Sequence, residues 1–372
     1  MIRFIHSSDL HLGKPFGRFP EDVRARLKQA RESALDQLAT LAKSHAASHI
    51  LLAGDTFDQM TPAPSLVRQT LNKMGQAGHV TWVLMPGNHD HANATELWRQ
   101  VLADAPKNVI LAHEPMPITL ADHVALLPAP PTERRPGRDL TDWFDSADTG
   151  DAIRIGLAHG SVTGFAAGED GEASIIAPDR ARRARLAYLG LGDWHGQLKI
   201  GAETWYSGAP EADSFKHTQP PAALLVEIAG RTAPAQVTSV PTGSIHWRQA
   251  TLDLSEDQDG PAAHAAALPP LNERALTMFD LTISGHTRAL NQVALEQAAA
   301  KAAPDFLSYA VDLSALSMAH DTSDLDAIAQ HGALRAAAEA LARDADDATL
   351  PDDQRASAQS ALSYLFTYAL ET

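Results

Sequence analysis

Aliphatic and β-branched residues gather in short runs along the first two hundred positions, and most runs end in a polar cluster followed by a stretch of helical period. The runs are residues 2–6, 49–53, 80–85, 109–112, 124–127, 153–158 and 186–191. Apolar positions spaced three and four apart predict helices over 21–44, 63–75 and 94–103. Strand and helix in alternation predict an α/β fold. Residues 203–207, 222–228, 236–240 and 246–254 read as strands parted by Gly and Pro turns, an antiparallel continuation of a sheet. The segment 257–270, rich in Asp, Ala, Gly and Pro, reads as a linker. Beyond it, 275–283, 288–302 and 306–313 form a strand, helix, strand pattern, with helical stretches at 325–344 and 354–370. These predict a second, smaller domain.

The length of 372 residues suits a large domain plus a small one. With no cysteine there is no disulfide, thiolate metal site or thiol nucleophile, so any metal must be held by nitrogen and oxygen. No apolar run is long enough to cross a bilayer. The start Met1-Ile-Arg-Phe-Ile-His6 lacks the basic and apolar regions of an export signal, so a cytoplasmic protein with no membrane partner is expected. No Walker loop is present, which excludes ATP binding of that kind. The formal charge of −16 argues against coating nucleic acid by bulk electrostatics. Its distribution alters that reading: residues 251–372 hold 19 Asp and Glu against 6 Lys and Arg, so the first 250 residues are nearly neutral.

In open α/β sheets, ligands bind at the carboxyl ends of strands. Those ends carry Asp9-Leu-His11, Gly54-Asp-Thr-Phe-Asp58, Gly87-Asn-His-Asp90, His159-Gly160 and Gly192-Asp-Trp-His195-Gly196. Each piece alone is an ordinary turn or a core histidine. Five such sets in strand order match what is needed to hold two adjacent divalent cations, one carboxylate bridging and His, Asp and Asn dividing between the ions.

With these residues the chain resembles the calcineurin-like metallophosphoesterases, whose order of motifs is D-x-H, G-D-x-x-D, G-N-H-[DE], H and G-H-x-H. The resemblance runs over residues 1 to about 215. Within that superfamily it is most similar to the DNA repair exonuclease branch, the nuclease subunit of SbcCD-type complexes. Three segments carry this: His6-Ser-Ser-Asp-Leu-His-Leu-Gly13; Gly54-Asp-Thr-Phe-Asp58 with Thr61-Pro and Pro64-Ser; and Tyr206-Ser-Gly-Ala-Pro-Glu211 with Phe215. The protein phosphatase branch would want Arg-Gly after the second Asp and Glu after Asn-His, where this chain has Gln59-Met60 and Asp90.

The resemblance implies a metallophosphoesterase β-sandwich flanked by helices over residues 1–255, a strand, helix, strand α+β capping domain over 271–318 and a C-terminal helical region over 319–372. It implies two divalent ions, manganese by expectation, the first held by Asp9, His11 and His195, and Asp55 bridging to a second held also by Asn88 and His159. His89 would stabilise the transition state or protonate the leaving oxygen, with the Asp58 carboxylate orienting its imidazole. Asp193 stands where the family has histidine; it is either an oxygen ligand of the second ion or a residue that caps the turn. Trp194 is either a core anchor or a flank of the cleft.

Backbone contact with DNA would need Lys and Arg near the metals. Arg134, Arg135 and Arg138, and Arg180, Arg182, Arg183 and Arg185, are two such groups, or else solvated faces, and Lys14 and Arg18 lie nearer the first ligand pair. Leu362, Leu365, Phe366 and Leu370 form a helical apolar stripe, either buried in its own domain or docked on a partner. The expected function is a manganese-dependent DNA exonuclease with endonuclease activity open to it, acting in DNA repair or defence with an SbcC-like ATPase in trans. A homodimer is left open. The alternatives are a phosphodiesterase or phosphatase for small molecules, and a weakly active binding scaffold.

Overall fold

The computed structural model describes residues 1–164, 176–216, 219–231, 233–319 and 332–371, which fall into two compact units, Met1–His246 and Trp247–Thr372. In the first, β1 (Ile2–Ser7), β2 (His49–Ala53), β3 (Thr81–Met85) and β4 (Val109–Leu111) pair in parallel, and β1 continues antiparallel to β11 (Ala222–Ile228) and that to β12 (Gln236–Pro241). A second six-stranded sheet runs in the order β5 (Ile118–Ala121), β6 (Val124–Ala129), β7 (Ile153–His159), β8 (Tyr188–Gly192), β10 (Thr204–Tyr206) and β9 (Leu198–Lys199).

Period-2 side chains explain how the sheets stack. Phe4, Leu51, Ala53, Val83 and Met85 point one way and meet Val124, Leu126, Ile155, Leu157 and Tyr188 of the second sheet. The alternate residues Ile5, Ile50, Leu52, Trp82 and Leu84 point the other way, under α1 (Glu21–Ser44), α2 (Pro64–Gln76) and α3 (Thr95–Asp104). Leu127, Leu189 and Leu191 on the outer face of the second sheet pack on Phe144 and on Ala181 of α4 (Arg180–Arg183). Both faces of the central strands are therefore dry, which is why they read as unbroken apolar runs. The result is the expected α/β sandwich of two sheets flanked by helices.

The second unit holds β13 (His246–Leu254), β14 (Thr277–Arg288) and β15 (Ser308–Ala319) in one sheet, with α7 (Ala289–Ala302) crossing between the parallel β14 and β15. Three expectations are corrected. Residues 246–254 join this separate sheet and do not extend the first. The strand expected at 203–207 as part of an antiparallel continuation is β10, which pairs in parallel with β8. The stretch read as a linker contains the helix α5 (Gly260–Ala267), because Asp259 caps it by accepting the Ala262 N–H and Pro261 occupies its first turn. The short α6 (Leu271–Arg274), then α8 (Ala333–Asp346) and α9 (Asp352–Glu371), complete the unit. The expected start of a helix at 325 lies outside the described residues. Leu362 is buried with Val293 and Ala338, so this part of the stripe packs within its own unit; the Phe366 and Leu370 side chains lie outside the described ones.

Candidate metal centre

Past the ends of β1 and β2 the chain keeps pairing. Asp9 N–H donates to Gly54 O (3.1 Å), His11 N–H to Asp55 O (2.9 Å), Leu12 N–H to Thr56 O and Asp58 N–H back to Leu12 O (both 3.0 Å). The loop after β3 is tied on by the buried Asp90 carboxylate, which accepts the N–H groups of Phe57 (3.0 Å) and Gly87 (2.6 Å). Asp9, His11, Asp55 and Asp193 all have positive φ (56°, 43°, 53° and 98°), a conformation costing about 1–3 kcal/mol per non-glycine residue and gathered here on candidate ligands. Gly87 must be glycine, since a Cβ there would lie 2.0 Å from Asp55 Oδ1.

Two groups of buried donors result, Asp9, His11 and His195, and Asp9, Asp55 and His159, each with its ligand atoms within 4.8 Å of one another. Asp55 Oδ2 lies 3.7 Å from His11 Nε2 and 3.5 Å from His159 Nε2, so one carboxylate oxygen stands between the two groups. His11 Nε2 and His195 Nε2 face each other at 3.2 Å. Asp193 is brought to the second group: its Oδ1 is 3.9 Å from His159 Nε2 and accepts Asn88 Nδ2 at 3.2 Å, while its N–H donates to the Asp9 carboxylate. The buried Asn88 Oδ1 has no hydrogen-bond donor among the described residues. The Trp194 side chain between the two candidates packs on the Phe144 cluster.

Charge explains what this arrangement lacks. Burial would push the His159 imidazole down, but the carboxylates of Asp55, Asp9 and Asp193 raise it to about 9. Burial lifts Asp55 to about 7. Burial holds His11 well below its ordinary value, with the neighbouring His195, Arg31 and His89 pushing the same way, so it presents a neutral ring. A buried carboxylate cluster that raises the pKa of its own histidine calls for positive charge, and the amide oxygen of Asn88 calls for an electrophile. Hard oxygens plus neutral imidazoles fit divalent cations such as manganese or magnesium.

The outer nitrogens of the histidines are also engaged. His159 Nδ1–H donates to Ala53 O at 2.8 Å, directing Nε2 inward. His195 Nδ1 faces Asp213 Oδ1 at 3.5 Å, and Asp213 Oδ2 accepts Arg31 (2.8 Å) and Lys14 (2.6 Å). These partners hold the buried Asp213 well below the usual carboxylate range against the upward push of burial. Arg31, itself buried, also donates to Leu10 O at 2.9 Å, between Asp9 and His11. Neither Asp213 nor Arg31 was expected from the sequence. The signal for Arg31 was its place in the apolar stripe of α1 among Leu27, Leu35 and Leu38, where an arginine implies a buried partner.

His89 stands at the edge of the cluster, its ring 4.8 Å from that of His11. Its orientation differs from the expectation. His89 Nδ1 donates to the backbone carbonyl of Asp58 (3.0 Å), and the Asp58 carboxylate instead faces His11 Nδ1 at 3.3 Å. A cleft of about 490 Å³ opens beside His89 and Asp58, lined also by Lys14, Arg18 and Lys216. Arg180 is corrected: it is buried and clamped by Asp139, Asp142 and Asp145, so it is a structural tie and not a DNA contact. Arg182 and Arg183 pair with Asp179 and Asp145.

Residues 2–169 match the family model of the calcineurin-like phosphoesterases. The chain is 24% identical over 269 residues to the uncharacterized metallophosphoesterase YhaO of Bacillus subtilis strain 168, covering 68% of this chain and 64% of that one. It is 28% identical over 252 residues to the SbcD component of the nuclease SbcCD from the same organism, covering 58% and 63%. It is 33% identical over 108 residues to the SbcD component of the nuclease SbcCD from Escherichia coli K12, covering 27% and 24%. In each case the chain spans less than two thirds of the relative's length. Asp193, His195 and Asp213 lie beyond the family match.

Proposed function

We propose that this chain, whose residues 2–169 match the calcineurin-like phosphoesterase family model, is a phosphoesterase hydrolase and more narrowly a manganese-dependent DNA nuclease, an exonuclease in the first place, serving repair or defence. The carrying observation is the buried Asp55 oxygen between His11 and His159, in a chain similar over 252 residues to a nuclease component. On this reading Asp9, His11, His195 and Asp55 hold one cation and Asp55, Asn88, His159 and Asp193 the other. Bound there, the pair supplies neutralisation of the phosphate oxygens and a water of lowered pKa.

The remaining steps belong to the chain's own residues. The carbonyl of Asp58 can only accept, so His89 carries its proton on Nδ1 when neutral and leaves Nε2 for chemistry. Protonated, His89 Nε2 gives its proton to the leaving oxygen as the phosphorus–oxygen bond breaks and water oxygen bonds to phosphorus. Asp58 backs His11 and, through its carbonyl, His89, coupling the donor set to the acid. On the same similarity, the partner of this reading is an SbcC-like ATPase in trans.

End-labelled linear DNA incubated with manganese tests this. Expected is degradation that EDTA abolishes and that His89→Ala lowers by about 10²-fold or more while leaving bound metal unchanged. Turnover of a small phosphodiester with none of DNA would refute the nuclease reading, and loss of metal in His89→Ala would refute the role of His89.

A further inference from the structure

Two fully buried hydroxyl groups adjoin the Asp9 carboxylate, that of Ser8, just past β1, and that of Ser207, just past β10. Ser8 Oγ donates to Asp9 Oδ2 at 2.5 Å, and the two serine oxygens lie 2.8 Å apart. Ser207 Oγ is also 3.1 Å from Gly208 O. Proton counting fixes the direction of this chain. A carboxylate and a carbonyl only accept, and each serine owns a single hydroxyl proton. With the Ser8 proton on Asp9, the bond between the serines is made by the proton of Ser207, which it shares with the Gly208 carbonyl. The hydrogen bonds therefore run from Ser207 to Ser8 to Asp9. The Asp193 N–H adds longer contacts to both oxygens of the same carboxylate, at 3.2 and 3.3 Å.

Asp9 is the residue common to both groups of buried donors, so the rotation of its carboxylate bears on both. The terminal torsion of an aspartate is broad and roughly two-fold, and nothing within the side chain selects one rotation. We infer that Ser8 and Ser207 are positioning residues, a hydroxyl relay that fixes the Asp9 carboxylate plane and leaves its other lone pairs for the cations of both groups. This rests on the two-cation reading of the centre and is independent of whether the substrate is DNA. The segment that carries Ser207 is built to hold this place. Next to Ser207, Tyr206 Oη donates to Gly160 O at 2.8 Å, beside His159, and Ala209 N–H donates to His195 O at 2.9 Å. Gly208 between them has φ of 71°, and a Cβ there would lie 2.9 Å from His195 O. One short stretch, beyond the family match, thus ties to the surroundings of three candidate ligands and reaches Asp9 through side chains.

The test titrates manganese calorimetrically into the full chain as wild type, Ser8→Ala, Ser207→Ala and the double variant. Ser8→Ala is expected to weaken manganese binding by about tenfold or more. Ser207→Ala leaves the Ser8 hydroxyl free to turn toward Gly208 O, 3.5 Å away, and should weaken it by a smaller factor. The double variant should match Ser8→Ala, because Ser207 acts on Asp9 through Ser8. Ser207→Thr, which keeps the hydroxyl, should recover the affinity. On bis(p-nitrophenyl) phosphate at saturating manganese, kcat of Ser8→Ala should fall with KM unchanged, since neither serine touches the substrate. A lowered melting temperature of metal-free Ser8→Ala with wild-type affinity for manganese overturns the relay, because the hydroxyls would then tie loops and nothing more. Losses that add in the double variant overturn the order of the chain. Where Ser8→Ala does not fold, wild-type affinity in Ser207→Ala overturns the relay. A wild type that binds no manganese overturns the two-cation reading and this inference with it.

Discussion

Asp213→Asn separates two consequences of one buried carboxylate. Arg31 is 2% exposed and has Asp213 as its anionic partner; breaking such a pair costs about 3–5 kcal/mol, the lower end applying because asparagine keeps one oxygen for Arg31. Lys14, being partly exposed, can turn to water and adds about 1 kcal/mol at most. About 3 kcal/mol in a unit of this size lowers Tm by about 6–12 °C. The other consequence is at His195, which loses the carboxylate facing its Nδ1; such changes weaken metal binding by about 10–100-fold. Titration calorimetry with manganese reads the second effect and scanning calorimetry without metal the first. A lowered Tm with manganese affinity within twofold of wild type would refute the claim that Asp213 orients His195. The pH dependence is a further check. The folded carboxyl sits well below its unfolded value near 3.9, so its contribution is complete above that value and is lost only as pH falls toward the folded value. The deficit in Tm should therefore be constant between pH 5.5 and 8.

Three other outcomes are expected. His6 is buried against Tyr188, and burial drops it to about 3; the unfolded chain takes up a proton below about 6.5 and the folded one does not, so stability is complete above 6.5 and declines as pH falls toward 3. At pH 4.5 the loss from this group is about 2–3 kcal/mol, and His6→Asn should flatten the acid limb of a Tm profile taken from pH 7.5 to 4.5. Gly87→Ala would force its methyl onto Asp55, whose Oδ1 and backbone nitrogen lie 2.0 and 2.3 Å away; elemental analysis should find bound manganese lost even where the variant folds. Asp193→Ala should reduce the manganese bound per chain from two toward one, and an unchanged stoichiometry would make Asp193 a turn residue only.

Much of the fold was legible because its central strands are buried on both faces. Runs such as 49–53 and 153–158 are continuous, and the helix expected at 21–44 is α1 itself. The unseen elements had weak patterns: β5 is a four-residue edge strand alternating half-buried and exposed, and β9 has two residues. Residues 260–267 hid a helix behind Gly, Pro and Ala, a composition shared with linkers, and the cap at Asp259 was the one local clue. At the site, the strand-end residues announced themselves by type and spacing. Asp213 did not, because its partners Arg31, Lys14 and His195 come from three other parts of the chain and no short motif encodes such a meeting. The Asp58 carboxylate meets a different histidine from the one its motif suggests for a similar reason: spacing supplies the residue, and backbone geometry decides whether its carbonyl or its carboxylate faces a given ring.

The four backbone hydrogen bonds that zip the loop after β1 to the loop after β2 have a thermodynamic consequence. The separation of Asp9 and His11 from Asp55 is fixed by peptide groups before any cation arrives, so ordering these loops is part of folding and not of binding. Asp193 comes from outside these zipped loops, its carboxylate accepting Asn88 Nδ2 and its N–H donating to the Asp9 carboxylate. The two halves of the cluster are thus rigid to different degrees. Loading the Asp9, His11 and Asp55 half should carry a small entropic penalty and fast kinetics, and loading the half that contains Asp193 a larger penalty and a slower, second phase.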